Sequence, residues 1–517
     1  MTTSSGGPPE DRGPAGHLGR RVAVPRRWLA LGTVVVVALA VGLVDRLVGS
    51  TQPAPVPVAV VAAAPAGSES SSWYCTGSTG TPGSAGLGTV LVTNTTDRAR
   101  PATISVTDGS ATKATSVDLG AFSEQAFTPS SLLQGPWLAS RVDVAGGGVV
   151  VTQVVQGPTG WASSPCSSTT VPSWYFASGS TATGSAMTVV VFNPASTPAV
   201  VDLTFYTAKG SLQPQPDEGI VVAPGGLVAV DVGAYLQDQS NVSTLVRAQS
   251  GRIVASELWS SSTPGSAGLA LTLGAPSPRP TWSVPLARDL APRTPGAFGQ
   301  LDVFDPSAAP ATVRVSIRLA SGPVTPFVAT VPPGSTWHLR TDGAARIPAG
   351  TDFAVSVHAT RPVVVGRSVA VGSGGSAPEW GSPPAVAELP PGFGSPSSGA
   401  PAPRARTTVR WVLPAPGTPA GPAVAGASPA ALSVVDLSDR TIDVRVAALA
   451  DGRQRDLGPS SHLRVLPGQS VSVPATTLAP VQLDPLVVVT TGSAGLSEEL
   501  APSGGTGVVT LAPVPLS

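Results

Sequence analysis

The chain has 517 residues and a formal net charge of zero, with only 12% of residues charged. Without basic clusters it lacks the cations that displace counterions from phosphates, which argues against a nucleic-acid partner. The length suits about three to five domains. Its 58 Gly and 56 Pro approach a disordered composition, yet the apolar residues gather in short alternating runs, as folded β-protein requires.

Residues 1–27 carry Arg12, Arg20, Arg21, Arg26 and Arg27 against Glu10 and Asp11 and are expected to form a disordered tail. The uncharged run WLALGTVVVVALAVGLV follows at 28–44. As a helix it spans about 26 Å; Leu47 and Val48 extend it, and the flanking arginines can snorkel to the headgroups. A buried core helix is the competing reading, but a run without a polar face has no solvent side. Residues 28–48 are therefore expected to cross a membrane. The positive-inside rule keeps the short tail cytoplasmic and exports the rest. A cleaved signal peptide shares this layout, but its apolar region is about 7–15 residues and ends near a small-residue cleavage site. Here the best small-residue cluster, Ala62-Ala63-Ala64, lies well downstream, which favours an uncleaved signal anchor. Residues 49–70 read as a Pro/Ala-rich stalk, with 56–64 as an optional extra strand.

The exported part repeats. Each of four copies opens near a tryptophan: Trp73, Trp174, Trp282 and Trp411. An apolar strand then runs to a polar turn at Asn94, Pro194, Pro306 or Asp439, and an alternating strand ends in Gly109, Gly210, Gly322 or Gly452. In the third copy Val313, Val315, Ile317 and Leu319 alternate with Thr312, Arg314, Ser316 and Arg318, which gives one core face and one wet face. Ile442, Val444 and Val446 do the same in the fourth. Pro224-Gly225, Pro333-Gly334 and Pro467-Gly468 read as type II turns, with glycine at the positive-φ position. The period of about 100–130 residues suits a sandwich of about seven strands and is too long for a propeller blade.

The expected fold is all-β: four tandem immunoglobulin-like β-sandwich modules behind one N-terminal transmembrane helix. Their expected bounds are 71–168, 169–277, 278–372 and 409–517. A flexible Gly/Pro/Ser-rich linker is expected at 373–408.

Cys75 and Cys166 are the two cysteines. An even count in an exported chain reads as one disulfide, worth about 4–5 kcal/mol on the chain-entropy model. A metal pair lacks an adjoining His or acidic cluster, and two unpaired thiols are the bland alternative.

The WYC sequence at Trp73-Tyr74-Cys75, the tandem β modules, the Asn-Pro turns and the closing strand containing Val254-Ala255-Ser256-Glu257 resemble an uncharacterised actinobacterial family. It is classed as a domain of unknown function and comprises exported or single-pass membrane proteins. The resemblance implies envelope location and β architecture, and it brings no activity, cofactor or catalytic residue. The fourth copy departs from it with Ser438-Asp439 in place of Asn-Pro, and the third and fourth copies lack cysteine.

No catalytic residue, cofactor or metal site is expected. His338, His358 and His462 lie in different modules or repeat positions and read as surface residues. A hydrolase would need a pocket uniting His338 or His358 with a carboxylate and a hydroxyl. Ser110 and Lys113 match S-x-x-K, but in a turn rather than at a helix start. Glu257, Glu498 and Glu499 read as a solvated face or an ion pair. The four repeated tryptophans read as core, whereas Trp137, Trp161, Trp259 and Trp380 are candidates for stacking on a sugar or seating a partner. The function expected is that of a non-catalytic, membrane-anchored envelope protein that contacts an envelope polymer or protein. A glycan-binding accessory subunit of an envelope enzyme is the alternative.

Overall fold

The alternating runs form antiparallel sheets throughout. The computed structural model describes most of the chain from residue 61 to residue 516; the longer stretches outside it are 263–267, 289–297, 371–379, 388–394, 397–406, 416–427, 479–483 and 502–508. The predicted tail, membrane helix and most of the stalk, up to residue 60, lie outside the described residues. Among the described residues no helix is long and apolar enough to cross a membrane. The protein is all-β with several sheets.

Two four-stranded sheets come first. One has the spatial order Ser71–Ser78, Leu138–Val144, Arg100–Thr107, Thr112–Leu119, and the other Ser123–Phe127, Leu87–Asn94, Val149–Gly157, Gly160–Pro165. The first strand therefore lies beside the sixth, and the fifth beside the second. The same order recurs further along. Ser173–Phe176 pairs with Ser243–Ser250, which pairs with Ala199–Thr207, while Ser185–Phe192 lies between Leu227–Asp231 and Val254–Ser261. In the third instance one long strand, Asp352–Ala370, serves both sheets. Its first half pairs with Arg279–Arg288 and Ala311–Leu319, and its second half with Phe298–Asp305. The fourth sets Leu486–Thr490 between Thr407–Leu413 and Ile442–Ala450, with Ser428–Asp436 between Ser470–Pro474 and Ala494–Ala501.

Burial follows the sequence periodicity. Ala311–Leu319 alternates buried and solvent-facing residues along its whole length, as does the start of Ile442–Ala450. Trp73, Trp174, Trp282 and Trp411 are all buried. The indole N–H of Trp174 donates to the Ile253 carbonyl, and that of Trp282 to the Val363 carbonyl. Those two tryptophans thus tie their opening strands to the residue before Val254–Ser261 and to the second half of Asp352–Ala370. Gly225, Gly334 and Gly468 adopt φ of 66°, 62° and 65°, the left-handed backbone that a type II turn demands and that glycine adopts without strain.

The sheet pairs also touch one another. Leu91 and Val154, on the outer face of the second sheet, are buried among Trp411, Leu432 and Val444 of the fourth pair. Val412, Leu449 and Val487 join the cluster around Trp73. Residues 61–68, read from sequence as stalk, lie against the first pair. Ala63 is buried there, and the Ala64 carbonyl accepts from Gly148 N–H. Within the stretch read as a linker, Trp380–Gly381, Val386–Ala387 and Ser395–Pro396 pair with neighbouring strands.

Candidate functional site

Cys75 and Cys166 form a disulfide across 91 residues, joining the strand that opens the first sheet pair to the residue just after its last strand. Of the stacking candidates, Trp137 is half-buried against Val155, Leu258 and Leu271. Trp259 is a correction: it is 5% exposed and packed among Met187, Phe205 and Ala270, so its ring has no face for a ligand. The strand Gly160–Pro165 carries Trp161 and Trp380 pairs with Ala370, but both side chains lie outside the described residues.

Glu257 also departs from expectation. Ala255, Glu257 and Trp259 project from one face of their strand, and that face is the core. Glu257 is 2% exposed, its Oε2 has no hydrogen-bond partner, and burial raises its pKa well above the ordinary carboxylate value. The expected solvated face is the other one, taken by Ser256 and Leu258, and that face is itself covered by the first sheet pair. Ser256 hydrogen-bonds Thr76, and Leu258 packs on Val155. The side chains of Glu498 and Glu499 lie outside the described residues.

Of the histidines among the described residues, His358 is exposed, and His462 reaches Asp456 at 2.8 Å on the surface. His338 belongs to a built polar cluster. Phe298–Asp305 and Ser335–Arg340 run antiparallel with Asp302 opposite His338, so the register places imidazole and carboxylate side by side. His338 Nδ1 donates to Asp302 Oδ1 at 2.7 Å, and Gln300 Nε2 donates to the same oxygen at 2.7 Å. The hydroxyls of Ser178 and Ser368 donate to Oδ2 at 2.5 and 3.3 Å. The Asp302 side chain is 2% exposed and that of His338 31%. A buried carboxylate persists only when donors replace its water, and four donors do so here.

Ser178 comes from the neighbouring sheet pair. It reaches Asp302 because Gly366, beside Asp302 in the register, has no Cβ; one there would collide with the Ser178 hydroxyl. The same seam holds Gln300 Nε2 donating to Asn241 Oδ1 at 2.8 Å, Ser243 with Thr336 at 2.7 Å, and the rings of Tyr206 and Phe304 at 4.8 Å. The arrangement has the carboxylate and imidazole of a triad. However, both hydroxyls bond the carboxylate rather than the imidazole, so neither is placed for this base to activate it.

A second carboxyl joins the first and fourth sheet pairs. Glu124 accepts from Thr93 Oγ1 at 2.6 Å and from the Ala415 backbone N–H at 3.2 Å. Burial pushes its pKa up to about 7, against the opposing pull of those two donors. Ser110, the head of the S-x-x-K match, sits in an Asp108-capped turn, as its sequence context implies. Among the described residues no group of three or more His, Cys, Asp or Glu is placed to hold a metal. Sequence reasoning missed Asp302 and Glu124 because each acquires its partners only through tertiary packing.

No curated protein matches this chain. Among solved structures it is similar to the crystal structure of Thermotoga maritima 1070, at 18% identity over 22% of this chain and 96% of that one, with a TM-score of 0.20. The Anabaena sensory rhodopsin transducer matches at 26% identity over 17% of this chain and 87% of that one, with a TM-score of 0.16. A Streptomyces avermitilis alpha-L-rhamnosidase complexed with L-rhamnose matches at 12% identity over 60% and 43%, with a TM-score of 0.14. A family model matches residues 138–427, more than half of the chain, and the protein accordingly belongs to that family of unknown function, DUF5719.

Proposed function

We propose that this protein is a non-catalytic, membrane-anchored component of the cell envelope. One helix at 28–48 holds four β-sandwich modules outside the membrane, where they engage an envelope polymer or protein. The modules are immunoglobulin-like in having two packed antiparallel sheets. Their strand order, with the first strand beside the sixth, differs from the ABED/CFG arrangement of immunoglobulin domains.

The observation that carries this reading is how the buried polar groups are used. Asp302 spends its acceptor capacity on Ser178, Ser368, Gln300 and His338, and Glu124 reaches across to Ala415. Carboxyls committed to joining sheet pairs hold modules in a fixed relation, as a presenting scaffold requires. The uncharged run at 28–44 and the disulfide support export. Proximity labelling from a tag at the C-terminus of the full chain in its native membrane tests it. Labelled neighbours drawn from envelope proteins are expected, and a neighbourhood of cytoplasmic proteins would overturn the reading.

A further inference from the structure

Where the first and fourth sheet pairs meet, the structure forms a cavity of about 490 Å³ that is partly open to solvent, within the range of about 300–1,000 Å³ of small-ligand sites. Its walls come from opposite ends of the chain: residues 64–66, the turn after Asn94, Phe122 and Gly148 on one side, and Thr408, Arg410 and Gln454 on the other. Two charged side chains line it, Arg410 and Asp97. Among the described residues they form no ion pair with each other or with any other group. The Nε–H of Arg410 is buried without an acceptor, and its Nη2 makes one long contact, 3.4 Å, with Gln454 Oε1. Burial also lowers the pKa of this guanidinium.

A guanidinium offers five donors in a planar fork that matches a carboxylate, and most of that capacity is unused here. Asp97 is exposed at the opposite lining and offers acceptors for a cation. Phe122 is held at φ 44°, a left-handed backbone that is costly for a bulky residue, and this residue contributes to the wall. Strain of this kind persists where surrounding structure fixes it, and it clusters at ligand sites.

We propose that this cavity binds a small zwitterion of amino-acid or dipeptide size, with its carboxylate on Arg410 and its ammonium toward Asp97. A dianion would meet Asp97 unfavourably, and a neutral sugar would leave Arg410 unpaired. The site uses none of the residues that join the second and third sheet pairs, and it stands apart from membrane anchoring.

The test is calorimetric titration of the full chain with alanyl-alanine, N-acetyl-alanine and glucuronate. Alanyl-alanine is expected to bind saturably, and Arg410→Gln to weaken it by at least about tenfold, or 1.4 kcal/mol. Asp97→Asn should weaken alanyl-alanine while leaving N-acetyl-alanine, which lacks the ammonium, unchanged. Thermal melts of each variant separate loss of binding from loss of fold. Should Arg410→Gln fail to fold, the exposed Asp97→Asn variant carries the test alone. Absence of saturation by alanyl-alanine, unchanged binding in Arg410→Gln, or glucuronate binding as tightly as the dipeptide would overturn the proposal.

Discussion

Glu124 makes stability depend on pH, and the sign follows from its environment. Its pKa of about 7 in the folded protein exceeds the ordinary 4.5. Between those values the unfolded chain has released a proton that the folded chain still holds, so stability falls as pH rises through that window. The loss is at most about 3–4 kcal/mol and is completed as pH rises through the folded pKa of about 7. Glu124→Gln keeps an oxygen for the Ala415 N–H and cannot ionise. Denaturant unfolding between pH 5 and pH 8 should show a decline for the parent protein and a flatter profile for the variant. Equal slopes would show that Glu124 is not the group responsible. A second residue-scale prediction concerns the turn after each second strand. Asn94 and Asn193 accept a backbone N–H through Oδ1 and donate through Nδ2 to backbone carbonyls. Asp305 keeps the first bond, to Ser307, but its Oδ2 is buried without a partner. Asp305→Asn restores the missing donor and should raise stability by about 1 kcal/mol, read as an increase in the urea midpoint.

At the scale of elements, the junction between the second and third sheet pairs depends on a glycine. Adding a methyl group at Gly366 forces Ser178 away from Asp302. Gly366→Ala is expected to destabilise by about 1–3 kcal/mol and to make the junction more open to limited proteolysis. A variant cut no faster than the parent would show that the seam tolerates the change. Much of this level could be read from sequence. The alternation from Val313 to Leu319, the Pro-Gly turns and the repeated tryptophans each follow from local rules that the structure obeys. Glu257 was misread because the rule that carboxylates face water selects the wrong face when Ala255 and Trp259 point the same way into a core. The Asp302 cluster was illegible for another reason: Ser178 lies 124 residues from Asp302, and no local pattern encodes such a meeting.

For the whole molecule, the unexpected feature is that the last sheet pair packs on the first. Glu124 and Ala415 are 291 residues apart, and Leu91 is buried among residues of the fourth pair. A tandem repeat read from sequence implies contacts between successive copies. It contains nothing to announce contact between its ends, and the cavity around Arg410 exists only because of that contact. The proposed function depends on the membrane topology expected from the apolar run at 28–44. With both native cysteines held in the disulfide, single cysteines placed at Ser4 and Lys113 can be probed with a membrane-impermeant maleimide on intact cells. Labelling at position 113 and protection at position 4 is the predicted result; labelling at position 4 with protection at 113 would contradict it.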